Sequence, residues 1–396
     1  MIWRQDQKRI RCAVMRGGTS RALFIMKGDL PSEPELRDQV ILRMYGSPDV
    51  RQIDGLGGAD PLTSKLAIIG PPSRADADVD YTFGQVSIQE PFVDYAGNCG
   101  NISSAVGPFA IDEGLVEPVE PTTTVRIHQT NTESILTAEV PVVNGTAAVE
   151  GDFHIDGVPG TGARIELDFS DTAGAVTGRV LPTGNPLDPI DVENVGPLEI
   201  SVVDAGNPCV FVRAYDLGIE GTETPEQIDS DRALNERIER IRGTVAAELG
   251  FVERWRDAAH ESPYIPFFVL VSPPTDYVDF TTGQTVKAQD VDFVARLLFM
   301  LKTHKAYAVT GTVCTGAAAK IPGTIVFEAA RPESRTRSLT RIGHPAGVIT
   351  VEADVRVNDG IGLLRASVGR TARRIMEGYT FVPWTVFDKE YPTPES

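Results

Sequence analysis

Four short stretches carry residue types able to move a proton or hold a carboxylate. In "YAGNCGNISSAVGPFAIDEGLV", residues 95–116, Cys99 stands among asparagines and glycines just ahead of a stretch that reads as a buried helix. A helix N-terminus presents unpaired N–H groups and positive dipole potential, which favour a thiolate or a bound carboxylate. Cys314, in "AVTGTVCTGAAAKIPGTIVFE", reads the same way, as the residue before a small-residue helix. Lys65 ends the glycine-rich loop of "IDGLGGADPLTSKLAIIG" and opens a buried-strand run. Desolvation there lowers the pKa of an amine and makes it a usable base. "MRGGTS", residues 15–20, offers Arg16 and Ser20, a guanidinium fork plus hydroxyl and backbone donors for a carboxylate.

Each of these has a plainer reading. Cysteine packs as a small hydrophobe, a loop lysine is usually solvated, and an arginine beside a tight turn is often only a surface charge. One glycine-flanked cysteine in each half nevertheless favours a shared cleft. Of the five histidines, His304 reads as the C-terminal cap of a long helix, and His344 stands in "GHPAG". "GGADPLTSK" lacks the spacing of a phosphate-binding P-loop, and no Cys-x-x-Cys or His-x-x-x-His pair is present, so neither a nucleotide nor a metal site is expected.

The elements that must position these residues follow from pattern. "IRCAVMRGGTSRALFIM" alternates like two strands, and "PSEPELRDQVILRMYG" reads as an amphipathic helix with a capping box of Ser32 and Glu35. "VDYTFGQVSI", "TTTVRIHQT" and "ILTAEVPVV" read as strands. Near residue 196 a second cycle begins, since "GPLEISVVDAGNPCVFVRAYDLG" repeats the strand, glycine turn and strand of the first hairpin. A helix capped by Thr224, Pro225 and Gln227 follows it. "DVDFVARLLFMLKTHKAY" is expected to form a long buried helix, and the tail from Pro383 to fray. "LPTGNPLDPIDVENVGP" reads as the linker, which gives a degenerate duplication with domains 1–190 and 191–396.

Composition bounds the function. The 396 residues leave room for two cores, and 41% hydrophobic with 23% charged residues is a soluble globular profile. Lysine and arginine total 37 against 55 acidic residues, and the net charge of −18 argues against nucleic-acid and anionic-membrane partners. No run has the length of a membrane span, the N-terminus lacks the apolar core of a signal peptide, and four scattered cysteines fit reduced thiols. A cytoplasmic protein is expected, and a homo-oligomer is compatible with all of this.

With "MRGGTS", "SPDVRQIDGLGGADPLTSK", "GNCGN" followed by "GPFAIDEGLV", "LPTGN", "AGNPCVFV", "CTGAAAKIPGT" and "GHPAGV" in this order, the chain resembles the PrpF and methylitaconate Δ-isomerase group of the diaminopimelate-epimerase-like superfamily. The resemblance implies an α+β fold of two similar domains. Each would be a curved mixed β-sheet around a central helix, with the site between them and the final strand able to return to the first domain. It also implies cofactor-independent proton transfer next to a carboxylate.

In the epimerases two cysteines face each other across the substrate. Here Cys99-Gly100-Asn101 matches the first context, while Cys314-Thr315-Gly316-Ala317 lacks one glycine of the second. Together with Lys65, the proton carrier that the resemblance implies, this favours an isomerase of an unsaturated di- or tricarboxylate. Methylitaconate comes first; methylaconitate, aconitate and 4-oxalomesaconate are alternatives. Lys65, Cys99 and Cys314 are the expected catalytic residues. Arg16, Gly18, Thr19, Ser20, Ser64, Asn98, Gly100, Asn101, Thr315 and Gly316 are the expected substrate-binding ones. A two-cysteine epimerase and a non-catalytic accessory protein to a dehydratase are the competing functions.

Overall fold

The computed structural model describes residues 6–357 and 360–387. The chain opens with a hairpin of Gln7–Gly17 and Ser20–Met26. The second strand runs parallel to Lys65–Gly70, which pairs antiparallel with Val79–Val86. Thr122–Gln129 then lies parallel to Val79–Val86 and is followed by antiparallel Ser134–Val143 and Ile165–Asp168. The helix Gly100–Asp112 is buried at every position up to Ile111 and packs against the surrounding strands. Its small, apolar composition makes that possible, since a helix apolar on all sides belongs inside a core.

The second half repeats this plan. Gly196–Ala205 and Asn207–Arg213 form the hairpin, and the latter runs parallel to Phe267–Ser272. That strand pairs antiparallel with Phe293–Phe299, which lies parallel to Leu339–His344. Gly347–Arg356 and Gly362–Arg370 complete the antiparallel series around a second central helix, Val309–Ala318, buried along its whole length. Hydrogen bonding joins the strands into one 19-stranded sheet, with a separate small pair at Tyr277–Val278 and Thr285–Val286. Ile165–Asp168 pairs with Gly362–Arg370, and Ala372–Pro383 runs antiparallel along Gln7–Gly17. The arrangement is the α+β, diaminopimelate-epimerase-like one expected, and the hairpins and the capping box at Thr224 and Gln227 stand where the pattern placed them.

Four local expectations are corrected. Residues 293–307 form no long helix: Phe293–Phe299 is a central strand, Met300 and Leu301 turn with positive φ, and Lys302–Thr303 returns. All seven residues of Phe293–Phe299 are buried and only Arg296 among them is not apolar, so the alternation of a half-buried strand is lost and periodicity could not tell strand from helix. His304 therefore caps no helix. The first helix, Pro34–Tyr45, is capped by Glu33, whose carboxylate accepts from the N–H groups of Glu35 and Leu36, and not by Ser32. The tail is ordered as far as Phe387: the last strand reaches Pro383, a short 3-10 turn follows, and Phe387 packs on Trp384. The rest of the tail, 388–396, lies outside the described residues.

Candidate active site

Lys65 opens its strand directly opposite Gln85, so the register alone brings their side chains together. Lys65 Nζ donates to Gln85 Oε1 at 2.7 Å. The Gln85 amide is itself fixed by donation to the carbonyls of Ser64 and Pro61. Only 2% of Lys65 is exposed. Its ammonium lies 5.0 Å from the ring centre of Phe299, 5.3 Å from Phe83 and 5.9 Å from Tyr264. Burial pushes the Lys65 pKa below its ordinary value, and Cys99 and Asp60 pull the other way. The three ring faces also favour the charged form. The result is an amine that can carry a proton or release it.

Cys99 is the N-cap of the helix Gly100–Asp112, and it lines a small cavity together with Ser20, Lys65, Gly100 and Asn101. From the second half come Phe267, Phe299, Ala308, Val309 and Thr310, joined by Tyr264 and His304. The two central helices thus point their N-termini at one another. Gly100 is required at this approach, because a side chain there would overlap Val309. At Gly18 a Cβ would overlap the Asn101 side chain, and φ is +49°, so the first hairpin turn can rest on the helix start only as glycine. Thr19 N–H donates to Asn101 Oδ1 at 3.3 Å.

The second hairpin docks in the same manner. Asn207 Nδ2 donates to the Asn98 carbonyl and to Thr310 Oγ1, both at 2.9 Å, while Asn207 Oδ1 accepts from Asn98 N–H. The Asn98 carbonyl also accepts from the Tyr264 hydroxyl at 2.8 Å. Asn207 and Tyr264 were not anticipated; the signal was the "AGNPC" turn, whose asparagine occupies the place that Ser20 holds in the first hairpin.

His304 was anticipated only as a helix cap. It is 2% exposed, and its Nδ1 accepts from Ala306 N–H at 3.0 Å, which leaves the proton of the neutral ring on Nε2. Burial, with Lys65 second, pushes its pKa down to about 3. The ring is neutral at physiological pH.

Several expected site residues are not brought to this cavity. Cys314 does not start a helix. It lies inside Val309–Ala318, fully buried, with Sγ donating to the Val203 carbonyl at 3.1 Å. Thr315 pairs with the Tyr307 hydroxyl, and Gly316 gives the helix room beside Val351. The residue in the position equivalent to Cys99 is Ala308, the N-cap of the second central helix. Ser64 Oγ donates to Gln52 Oε1, and Arg16 is occupied by the carbonyls of Gly18 and Thr371. Asn98 contributes backbone groups behind the cavity. Its Oδ1 accepts from Ser103 Oγ, and its Nδ2 has no partner among the described residues.

Among the described residues no group of three or more His, Cys, Asp or Glu is gathered that could hold a metal ion, and no helix is long and apolar enough to cross a membrane. All four cysteines are free and buried.

Comparison with known proteins fits this geometry. The family model described as "PrpF protein" matches residues 7–383. The chain is 56% identical to 3-methylitaconate isomerase of Eubacterium barkeri, over 95% of this chain and 98% of that one. It is 40% identical to 2-methyl-aconitate isomerase of Shewanella oneidensis, over 95% and 98%. A crystal structure of methylitaconate-delta-isomerase superposes with a TM-score of 0.81 at 54% identity, covering 99% of this chain and all of that one. A hydroxyproline epimerase from Agrobacterium vitis shares the fold alone, with a TM-score of 0.57 at 12% identity over 98% and 94%. The chain belongs to the PrpF family and is an isomerase with the epimerase-like fold.

Proposed function

We propose that this isomerase moves the double bond of 3-methylitaconate to give 2,3-dimethylmaleate, with Lys65 carrying one proton between two carbons. The carbon that loses the proton is allylic and next to a carboxylate, so its acidity depends on stabilising the dienolate that forms. Neutral Lys65 takes that proton. The electron pair spreads over the allylic system and the carboxylate, and the Lys65 ammonium then delivers a proton to the terminal methylene carbon, which becomes a methyl group. Cys99, the N–H groups at the two helix starts and the neutral Nε2–H of His304 line the place where the charge develops and are suited to stabilise it.

The observation that carries this reading is the pairing of a buried lysine and one cysteine with an alanine, Ala308, at the position equivalent to that cysteine on the opposite wall. A base on one side only serves a shift within one allylic plane. An epimerase needs a group on each face of a single carbon, and Ala308 supplies none. Methylitaconate is placed first because of the 56% identity to the isomerase named for it, and methylaconitate follows on the 40% relative.

We read residues 1–190 and 191–396 as the two domains, with the pairing of Ala372–Pro383 along Gln7–Gly17 supporting the return of the last strand. Four free, buried thiols and the acidic charge support a cytoplasmic enzyme without nucleic-acid or membrane partners. The test is incubation with a panel of unsaturated di- and tricarboxylic acids in deuterated water, read by proton NMR. New methyl signals of dimethylmaleate from methylitaconate are expected. Turnover confined to a tricarboxylate would replace the substrate, and exchange at one carbon without bond migration would replace the reaction.

A further inference from the structure

Among the described residues three arginines are deeply buried outside the Lys65 cavity, and two of them are fully employed. Arg242 bonds to both oxygens of Glu239 and to the carbonyls of Ser262 and Ile265. Arg296 donates to the carbonyls of Glu223, Ala295 and Thr222. Arg370 differs. It is only 5% exposed, yet its one hydrogen bond among the described residues runs from Nη1 to the carbonyl of its own neighbour Gly369, and its Nε is buried without a partner. Among the described residues no carboxylate is ion-paired to it, and Glu166, which acts on it electrostatically, is paired with Arg164. A desolvated guanidinium in that state is a cost that the fold does not return.

Arg370 lines a second small cavity with Thr19, His344, Tyr307 and Asp156. Thr19 Oγ1 is also buried without a partner. His344 Nδ1 accepts from Ala346 N–H, so a neutral His344 ring carries its proton on Nε2 as His304 does. Asp156 is already engaged with Val348 N–H at 2.6 Å and with His154. This cavity adjoins the Lys65 cavity through two segments common to their walls. Thr19 and Ser20 are consecutive at the first hairpin turn, and residues 304–310 supply both linings. A Cβ on Gly18 would touch Asn101 on one side and stand 3.2 Å from Arg370 Cδ on the other.

We propose that Arg370, with Thr19 beside it, is the anchor for the substrate carboxylate remote from the proton transfer, and so determines that the enzyme takes a dicarboxylate and not a monoacid. This rests on the proposed reaction for the identity of the substrate and not for the anion site itself. A planar guanidinium with free N–H groups takes a carboxylate oxygen pair side by side. Fixing that end leaves the allylic carbons of a short diacid between Lys65 and the helix starts.

The test uses the full-length enzyme, Arg370→Gln and Arg370→Lys, with 2,3-dimethylsuccinate and its monoamide as non-reacting probes in calorimetric titrations, alongside kinetics and melting curves. Arg370→Gln is expected to weaken diacid binding about 100-fold and to raise KM to match, with kcat changed less, because the lost contact is present in both ground and transition states. The monoamide, whose single carboxylate can lie at either end, should lose less than the diacid. Arg370→Lys should lose about 10-fold, since an ammonium keeps the charge but not the fork. Should Arg370→Gln fail to fold, the lysine variant decides. Diacid affinity within about threefold of wild type in a folded variant, or equal losses for diacid and monoamide, would overturn the proposal. Failure of methylitaconate turnover alongside Arg370-dependent diacid binding would overturn the reaction and leave this site standing.

Discussion

The two halves of the molecule meet at one cavity with the same elements and opposite chemistry. Lys65 begins the strand parallel to the first hairpin, at the register partner of Ala22; in the second half Phe267 stands there, opposite Cys209. Gln85 faces Lys65, while the register Phe268–Leu298 carried one residue on sets Phe299 opposite Phe267, and their rings meet edge to face at 6.0 Å. Cys99 caps the first central helix and Ala308 the second. At these equivalent positions one side therefore supplies a base, an amide acceptor and a thiol, and the other supplies two rings and a methyl group. The apolar wall has its own role: Phe299 stacks near the Lys65 ammonium and helps exclude water, which desolvates the amine. The repeated plan builds the cleft, and the difference between its two sides suits a shift along one face.

Breaking the polar side should cost most. Lys65→Met is expected to reduce kcat by about 10³-fold or more with little change in KM, because a proton carrier acts in the transition state. The same variant should melt higher, by about 1 kcal/mol of stability, since it removes a buried amine whose desolvation the fold must bear. A variant that is inactive and less stable would mean that Lys65 serves structure first. Cys99→Ala should lose about 10²-fold in kcat, and Cys99→Ser less. Equal losses at Lys65 and Cys99 would make the two halves of that pair equal partners and weaken the one-base account.

The pH profile sharpens the same contrast. Burial lowers the Lys65 pKa, and the neutral amine is the active form, so kcat/KM should rise about tenfold per pH unit up to that pKa and level off below the ordinary lysine value of 10.5. Lys65→Met should lack this limb. Stability has a separate dependence through His304. Its folded pKa is near 3 against 6.5 in the unfolded chain, so between these values the unfolded state binds more protons. Stability should be complete above pH 6.5 and fall as pH drops toward 3, in equilibrium unfolding at graded pH, and a His304→Gln variant should show a shallower fall.

On the apolar side the expected effects are small. Cys314→Ala should keep activity within about threefold and lose about 1 kcal/mol in denaturant unfolding, as a packed thiol would. Exhaustive chelation and dialysis should leave turnover unchanged; restoration of a lost activity by a divalent metal would end the proton-carrier account.

Much of this was legible in the residues. The glycine turn of "MRGGTS", the alternation around it and its repetition near residue 196 carry local signals that the fold obeys, and Lys65 before a fully apolar strand announces its own burial. Cys314 misled because its sequence context imitates a helix start while the helix begins at Val309, and alanine at the true N-cap carries no local signal. Phe293–Phe299 was opaque because a strand buried on both faces loses its period of two. His304 and Tyr264 converge on the site from segments far from Lys65 and Cys99 in sequence, and only the pairing of the strands places them there.

The most direct test of a single carrier uses methylitaconate deuterated at the carbon that loses its hydrogen, turned over once in ordinary water. A lysine ammonium can scramble its three hydrogens, and a closed cleft slows exchange with solvent. Mass spectrometry of the first product formed should therefore find part of the deuterium in the new methyl group, and Lys65→Met should form no labelled product. Deuterium absent from the methyl group in the first turnover, together with an active Lys65→Met enzyme, would contradict the one-base account.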